Sequence, residues 1–460
     1  MKRMIMNALR MACINHQAVG LWRYPGNHGF EYKDLDYWTQ TARDLEAACF
    51  DALFLADTLG LYDSYGSTSL GLRHAIHTPQ SDPLMMISAM AAVTKHLGFA
   101  VTVTTSYEHP YLLARKLTTL DHLTKGRLGW NVVTSNSDSA ARNLGLVQQM
   151  RHEERYKRAE EFLEVVYKLW QGSWEDGAII NNVAANTCIE PRMIHPIAHN
   201  GENYRVPDPF MCEPSIQRTP VIFQAGASAD GKRFAARHAE GIFVVETEAK
   251  ELRKQTDEVR GMIADAGRDP QSVKFFAGAT MVVGDTDVDA QRRYENIREY
   301  LSEEGMLARF STLIQKDLSS FDLDKPLELF ETQGVRSVLE RYASGKDEEK
   351  LTIRQIAKKL ASSPGGVCFV GSVENVADQM EQWMEDTDVD GFNIYDILPL
   401  QYIPVLGQSL IPELQKRGRI RTSYDDGSTL RERLYGAGQQ RPRSDHPAAK
   451  YEFKLAQAAE

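Results

Sequence analysis

The sequence predicts a (β/α)8 barrel with insertions, an α/β fold, and three observations carry that prediction. Short apolar segments alternate with amphipathic ones along most of the chain, the rhythm of parallel strands covered by helices. Eight of the apolar segments read as strands, the number that closes such a barrel. Several of these strands end in amide, hydroxyl or carboxylate side chains, as barrel strands do where they enter a binding mouth.

The first strand falls at 7–14, followed by a helix at 34–48 and a strand at 51–57. A helix at 83–95 leads to a strand at 97–105. A helix at 110–124, with apolar residues at helical spacing, passes through a Lys125-Gly126 turn into a strand at 127–134. After a long charged helix at 153–171 come strands at 220–225, 241–245, 273–283 and 391–397, separated by further helices. Strict alternation implies parallel strands joined by right-handed crossovers. A short apolar piece at 366–370 is surplus and reads as the lead-in to a helix at 373–385, not as a ninth barrel strand.

Residues 1–420 are expected to form one barrel domain with insertions at about 172–219 and 300–364. Long insertions in barrels usually build the mouth of the site, so both are candidates for its cover. From about Gly418 the chain turns rich in Arg, Ser, Gly, Gln and Pro, and the tail 421–460 is either disordered or wrapped on another subunit.

An apolar fraction of 42% suffices for a large core. Lys and Arg total 53 against 63 Asp and Glu, a net charge of -10 without a basic cluster, which argues against nucleic acid as a partner. The five cysteines (Cys13, Cys49, Cys188, Cys212 and Cys368) are odd in number and never form a CxxC pair, so neither a disulfide framework nor a zinc site is expected. No signal-like leader and no membrane-length apolar run stand out, and a soluble, cytoplasmic protein is expected.

Candidate site residues follow from the strand ends. The strand of Gly126 to Ser135 carries Asn131, Thr134 and Ser135, polar groups that a plain core strand has little reason to keep. Asp57, Thr102 and Thr104 occupy equivalent places, as do Gly226, Ala227 and Ser228. Each alone also fits a helix cap or a turn; their recurrence suggests a rim for a large polar heterocycle, with no metal centre. Gly226-Ala227-Ser228-Ala229-Asp230-Gly231-Lys232 matches part of a nucleotide phosphate loop, but Arg233 stands where a magnesium-binding hydroxyl belongs. A cofactor phosphate at a helix N-terminus fits better than ATP. His152 and Tyr156 share one face of a helical turn and can reach a phosphate from the side, although the same spacing fits an ordinary helix start. His16, just past the first strand, is a candidate acid or base, and Tyr62, Tyr65, His74, His77, Tyr107 and His109 are further mouth candidates. HExxH and GxSxG motifs are absent, as is a GxGxxG after any strand, so in any redox reaction the electrons would come from elsewhere than a Rossmann dinucleotide pocket of this chain.

The run Asp121 to Ser135, followed by Ser139-Ala140-Ala141-Arg142-Asn143-Leu144-Gly145, closely resembles the bacterial-luciferase-like flavin-dependent monooxygenases. Phe50 to Asp57, His152 to Tyr156, Pro220 to Ser228 and Asp390-Gly391-Phe392 match in order, and the similarity extends from the first strand to about Arg421. The branch is that of the nitrilotriacetate, dibenzothiophene-sulfone and dimethyl-sulfide monooxygenases. Within it, His16-Gln17 with Trp22-Arg23, and Cys212-Glu213-Pro214-Ser215, are most similar to the dimethyl-sulfide members. The resemblance implies a barrel that binds reduced FMN (FMNH2), supplied by a separate NAD(P)H:flavin reductase. It also implies addition of O2 at the flavin C4a, with the C4a-peroxyflavin passing one oxygen atom to a small organosulfur or related substrate. Asp57, Thr104, His152, Tyr156 and Ser228 match flavin-contacting positions of the family, with Asn131, Thr134, Gly226 and Ala227 beside them and His16 as acid or base. Some relatives carry a histidine in the second insertion, whereas this chain has none between His238 and His446, so its substrate is expected to differ from theirs. A homodimer or homotetramer is expected. The alternatives are a deazaflavin-dependent oxidoreductase on the same barrel and a non-catalytic flavin-binding protein.

Overall fold

The structure, a computed structural model, describes residues 2–332, 334–343, 350–362 and 366–453. Residues 454–460 of the predicted tail, and 333, 344–349 and 363–365 of the second insertion, lie outside these. The main sheet comprises β1 (Ile5–Met11), β2 (Ala52–Ala56), β3 (Gly98–Thr104), β4 (Leu128–Val133), β5 (Val221–Gln224), β6 (Gly241–Val244), β7 (Lys274–Gly284), β8 (Val367–Ser372) and β9 (Gly391–Tyr395). All pairings within it are parallel. Strands β1 to β7 pair in succession, and β9 closes the ring between β7 and β1, giving the eight-stranded barrel.

The surplus apolar piece is β8, and it lies outside the ring as read from the sequence. Its pairing is the part the sequence did not show. Because β7 is 11 residues long, its first half holds β6 and β9 while Ala279 to Gly284 run on and pair with Val367 to Ser372. Strand β8 then passes directly into the helix Val373–Thr387.

Local chemistry explains the elements around β4. Helix α1 (Leu35–Ala47) turns Tyr37, Trp38, Thr41, Ala42 and Leu45 inward. Helix α2 (Pro110–Thr124) starts on His109, whose ring accepts the Tyr111 amide at 3.3 Å, with Pro110 in the first turn. It ends where Lys125 and Gly126 adopt left-handed φ values of 55° and 80°, which releases the chain into β4. Buried Arg127 then donates to the carbonyls of Thr124 (2.7 Å) and Leu97 (2.8 Å), tying the start of β4 to that of β3. Inside the ring Phe54 meets Phe223 edge-on at 5.7 Å, and Phe223 meets Phe276 at 6.0 Å. Each such ring, fully buried, stabilises the fold by about 1.5–3 kcal/mol.

The barrel floor is held by carboxylates one position ahead of a strand. Asp51 accepts the Met6 amide at 2.9 Å, Glu240 the Ile222 amide at 3.0 Å, and Asp390 the Phe275 amide at 2.9 Å. The C-terminal segment supplies the countercharges of Asp51 and Glu240, while Lys2 pairs with Asp390 at 2.9 Å. Arg421 reaches Asp51 at 2.5 Å, and fully buried Arg431 forms two bonds to Glu240, at 2.7 and 2.9 Å. His446 adds a bond from its ring to the His238 carbonyl at 2.8 Å. Two of the tail's arginines thus pair with floor carboxylates of the chain's own barrel, and Arg441 and Arg443 pair with Asp176 and Asp269 elsewhere on its surface.

The first insertion corrects one expectation. Residues 173–219 fall between helix α3 (His152–Tyr167) and β5, a helix-to-strand connection, and such connections lie at the base of a barrel, away from the mouth. They form two small hairpins packed outside the ring, where the Trp174 indole donates to the Phe210 carbonyl at 2.7 Å. The second insertion follows β7 and does cover the mouth. Helices α5 (Glu303–Leu313), α6 (Arg336–Ala343) and α7 (Ile353–Ser362) share a core of Leu307, Phe310, Ile314, Leu339, Ile353 and Ile356. Among the described residues no helix is long and apolar enough to cross a membrane.

Candidate active site

The C-terminal ends of the barrel strands open into a cavity of about 460 Å3. That volume is in the range of small-molecule and cofactor sites, about 300–1,000 Å3. Three kinds of wall surround it. Polar groups come from the loops after β2, β4 and β5, the apolar ends of β6 form the inner wall, and the second insertion contributes Met306, Phe310, Leu313, Val338, Tyr342 and Leu360 as cover.

At one end stands helix α4 (Ala229–His238), capped by Ser228, whose hydroxyl accepts the Gly231 amide at 3.1 Å. His152 places Nε2 3.2 Å from that hydroxyl and Nδ1 3.1 Å from Asp230. The Tyr156 hydroxyl interacts with the side chains of both Ser228 and Thr134. A Cβ at Gly226 would crowd the Gln224 amide, the Tyr156 hydroxyl at 2.9 Å and the Gly231 Cα at 3.0 Å, so a side chain there would displace the cradle's own groups. A helix N-terminus flanked by an imidazole and two hydroxyls matches a phosphate in charge and donor number. Asp230 opposes this with a negative charge, which Arg233 offsets, while His152 Nδ1 lies within hydrogen-bond distance of the same carboxylate. Burial, then Arg155, lowers the His152 pKa, and Asp230 partly restores it. Gly226, Ala227, Ser228, His152, Tyr156 and Thr134 therefore come together as one cradle.

Asp57 marks the other side of the mouth. Its carboxylate accepts a hydrogen bond from Gln80, which also donates to the Thr58 carbonyl at 3.1 Å. Burial, with Asp82 nearby, pushes the Asp57 pKa up to about 7, so its charge changes near neutral pH.

Thr104 and Asn131 sit behind the wall. Thr104 is buried and accepts from the Ser135 hydroxyl at 3.0 Å; Ser135 is the group that lines the cavity, in a left-handed conformation with φ 49°. Asn131 lies deeper, donating to Thr102 at 2.9 Å across the β3–β4 register, and its Oδ1 has no hydrogen-bond partner. His16 is also set back, with its ring 5.4 Å from His77 and 5.7 Å from Tyr395, and its neighbour Gln17 reaches the cavity instead. Burial, His77 and Arg309 hold the His16 pKa well below the usual histidine value, so the ring is neutral at pH 7 and resists protonation, which argues against His16 as the general base expected from the sequence. Of the remaining mouth candidates, Tyr62 stacks edge-on with His77 at 4.8 Å, and His74 pins the second insertion through Glu304 at 3.0 Å. Tyr107 bonds Gln149 at 3.1 Å, and Tyr65 packs on the insertion's core. Sequence reasoning missed Gln80 and Arg309. Ser135 was visible as part of the polar strand end, whereas Gln80 and Arg309 stand in loops and helices with no distinguishing spacing.

A barrel with this mouth defines a class that the comparisons identify. The family model for luciferase-like monooxygenases matches residues 11–391, and the chain belongs to that family of enzymes. It is 45% identical over 98% of its length to dimethyl-sulfide monooxygenase of Hyphomicrobium sulfonivorans, covering 94% of that protein. It is 43% identical to long-chain alkane monooxygenase of Geobacillus thermodenitrificans strain NG80-2, with 98% of each chain covered. A crystal structure of riboflavin lyase, solved with modified FMN and riboflavin, superposes with a TM-score of 0.92 at 32% identity, covering 98% of this chain and all of that one.

Proposed function

We propose that the chain is the oxygenase of a two-component system, taking reduced FMN from a separate NAD(P)H:flavin reductase and using O2 to oxygenate a small organosulfur or related compound. The observation that carries this reading is the cradle of Ser228, His152, Tyr156 and Thr134 at the N-terminus of α4, opening into a cavity with an apolar cover. Reduced FMN supplies the oxygen activation when bound. The chain's residues do the rest: the cradle holds the phosphate, while Asp57, Thr58, Gln17 and Ser135 offer polar contacts to the ring. Met306, Phe310, Leu313 and Val338 exclude water from the reacting face. Similarity to dimethyl-sulfide monooxygenase supports the organosulfur class.

The test is a turnover assay in 18O2 with NAD(P)H, FMN, a purified flavin reductase and a panel of sulfides, sulfones, sulfonates and aminocarboxylates. One 18O atom per product molecule, formed only when the reductase is present, is expected. Product that forms equally without oxygen would replace the proposal with a deazaflavin-type oxidoreductase.

A further inference from the structure

Four cations line the cavity, and three of them have partners. Lys232 pairs with Glu258 at 2.8 Å and Arg341 with Glu246 at 3.2 Å, while Arg155 donates to the Ser135 carbonyl. The fourth, Arg309 on α5, has no carboxylate within ion-pair distance among the described residues, and its Nε is buried without a hydrogen-bond partner. A guanidinium held against an apolar cover without a counter-ion is costly to leave unmatched.

Its position separates it from the cofactor phosphate. The cradle is built from the loops after β4 and β5. Arg309 acts electrostatically on His16 after β1, Tyr62 and His77 after β2, and Tyr395 at the end of β9. In a closed order of eight strands, β1 and β5 face each other across the ring. FMN has one phosphate, and the cradle accounts for it.

Resting on the monooxygenase reading, we propose that Arg309 determines substrate specificity by binding an anionic headgroup, a carboxylate or sulfonate, on a short apolar organosulfur compound. Its guanidinium would form a charge-assisted bond to the headgroup while Met306, Phe310 and Leu313 on the same helix pack the apolar body. The organosulfur substrate is then an acid, in contrast to a neutral dialkyl sulfide.

Calorimetric titration of the FMN-loaded protein tests this without turnover, using 3-(methylthio)propanoate, 3-(methylthio)propanesulfonate and the neutral 3-(methylthio)propanamide. Wild-type protein is expected to bind at least one acid about tenfold or more tightly than the amide, the order of one charge-assisted hydrogen bond. Arg309→Gln should abolish that preference while leaving amide and FMN affinity within about twofold, and Arg309→Lys should restore part of it. Equal affinity of wild-type protein for acids and amide, including no binding of any, overturns the proposal even if the variants do not fold. A preference that survives in Arg309→Gln also overturns it, as does a loss confined to FMN affinity, which would make Arg309 a flavin contact. Loss of FMN binding by the wild-type protein would instead contradict the monooxygenase reading.

Discussion

Replacing Ser228 with aspartate is expected to weaken FMN binding about 100-fold, the largest single effect at the proposed cofactor site. Two unit charges about 4 Å apart at an effective dielectric constant of about 20 repel by about 4 kcal/mol, and a phosphate carries more than one charge. Relaxation of the side chain and salt screening reduce this toward the about 2.7 kcal/mol that corresponds to 100-fold. Aspartate is itself a good N-cap, so α4 keeps its cap and the loss reports on the ligand. Ser228→Ala isolates the hydroxyl that His152 and Tyr156 share and is expected to cost about tenfold. Flavin fluorescence quenching measures both; unchanged affinity in Ser228→Asp would remove this loop from the site.

Asp57→Asn is expected to stabilise the protein above pH 7 and to weaken FMN binding. The carboxyl titrates at about 7 in the fold, against about 3.9 in an unfolded chain. Below the unfolded value both states are protonated, and burying the neutral acid carries no charge penalty. As pH rises from about 4 to 7 the unfolded state ionises first, so wild-type stability falls through this window and levels off above the folded pKa. Three pKa units set an upper limit of about 4 kcal/mol for that loss. Asparagine does not ionise and still accepts the Gln80 amide, so the stability gain over wild type should appear at pH 8 and vanish near pH 3.5. Urea denaturation at both pH values checks it. A gain that is equal at both would mean that charge at Asp57 is not its origin.

How much of this was legible in the sequence depends on where the information resides. Barrel strands are marked by apolar runs between turn residues, and the Lys125-Gly126 stop before β4 is a local signal that appears in the structure as two left-handed residues. The cradle was legible for the same reason: a Gly-rich βα turn and the His152–Tyr156 pair each have a fixed local spacing. The ring side was only partly so. Asn131 and Thr104 are polar residues of the barrel strands, but the loop after β4 decides what reaches the cavity, and there Ser135, in a left-handed conformation, stands in front of Thr104. The role of the first insertion turned on topology, since only its place between a helix and a strand puts it at the base. Arg309 could not be found by pattern, because its isolation from carboxylates is a property of three-dimensional packing.

Rapid mixing of the protein, loaded with photoreduced FMN, against aerated buffer addresses the oxygenase assignment without requiring the substrate. A C4a-peroxyflavin absorbance that rises before oxidised FMN appears, and persists longer than for FMN free in solution, is the expected result. Reoxidation of the flavin at the rate and with the spectra of free FMN, with no separate species, would contradict it.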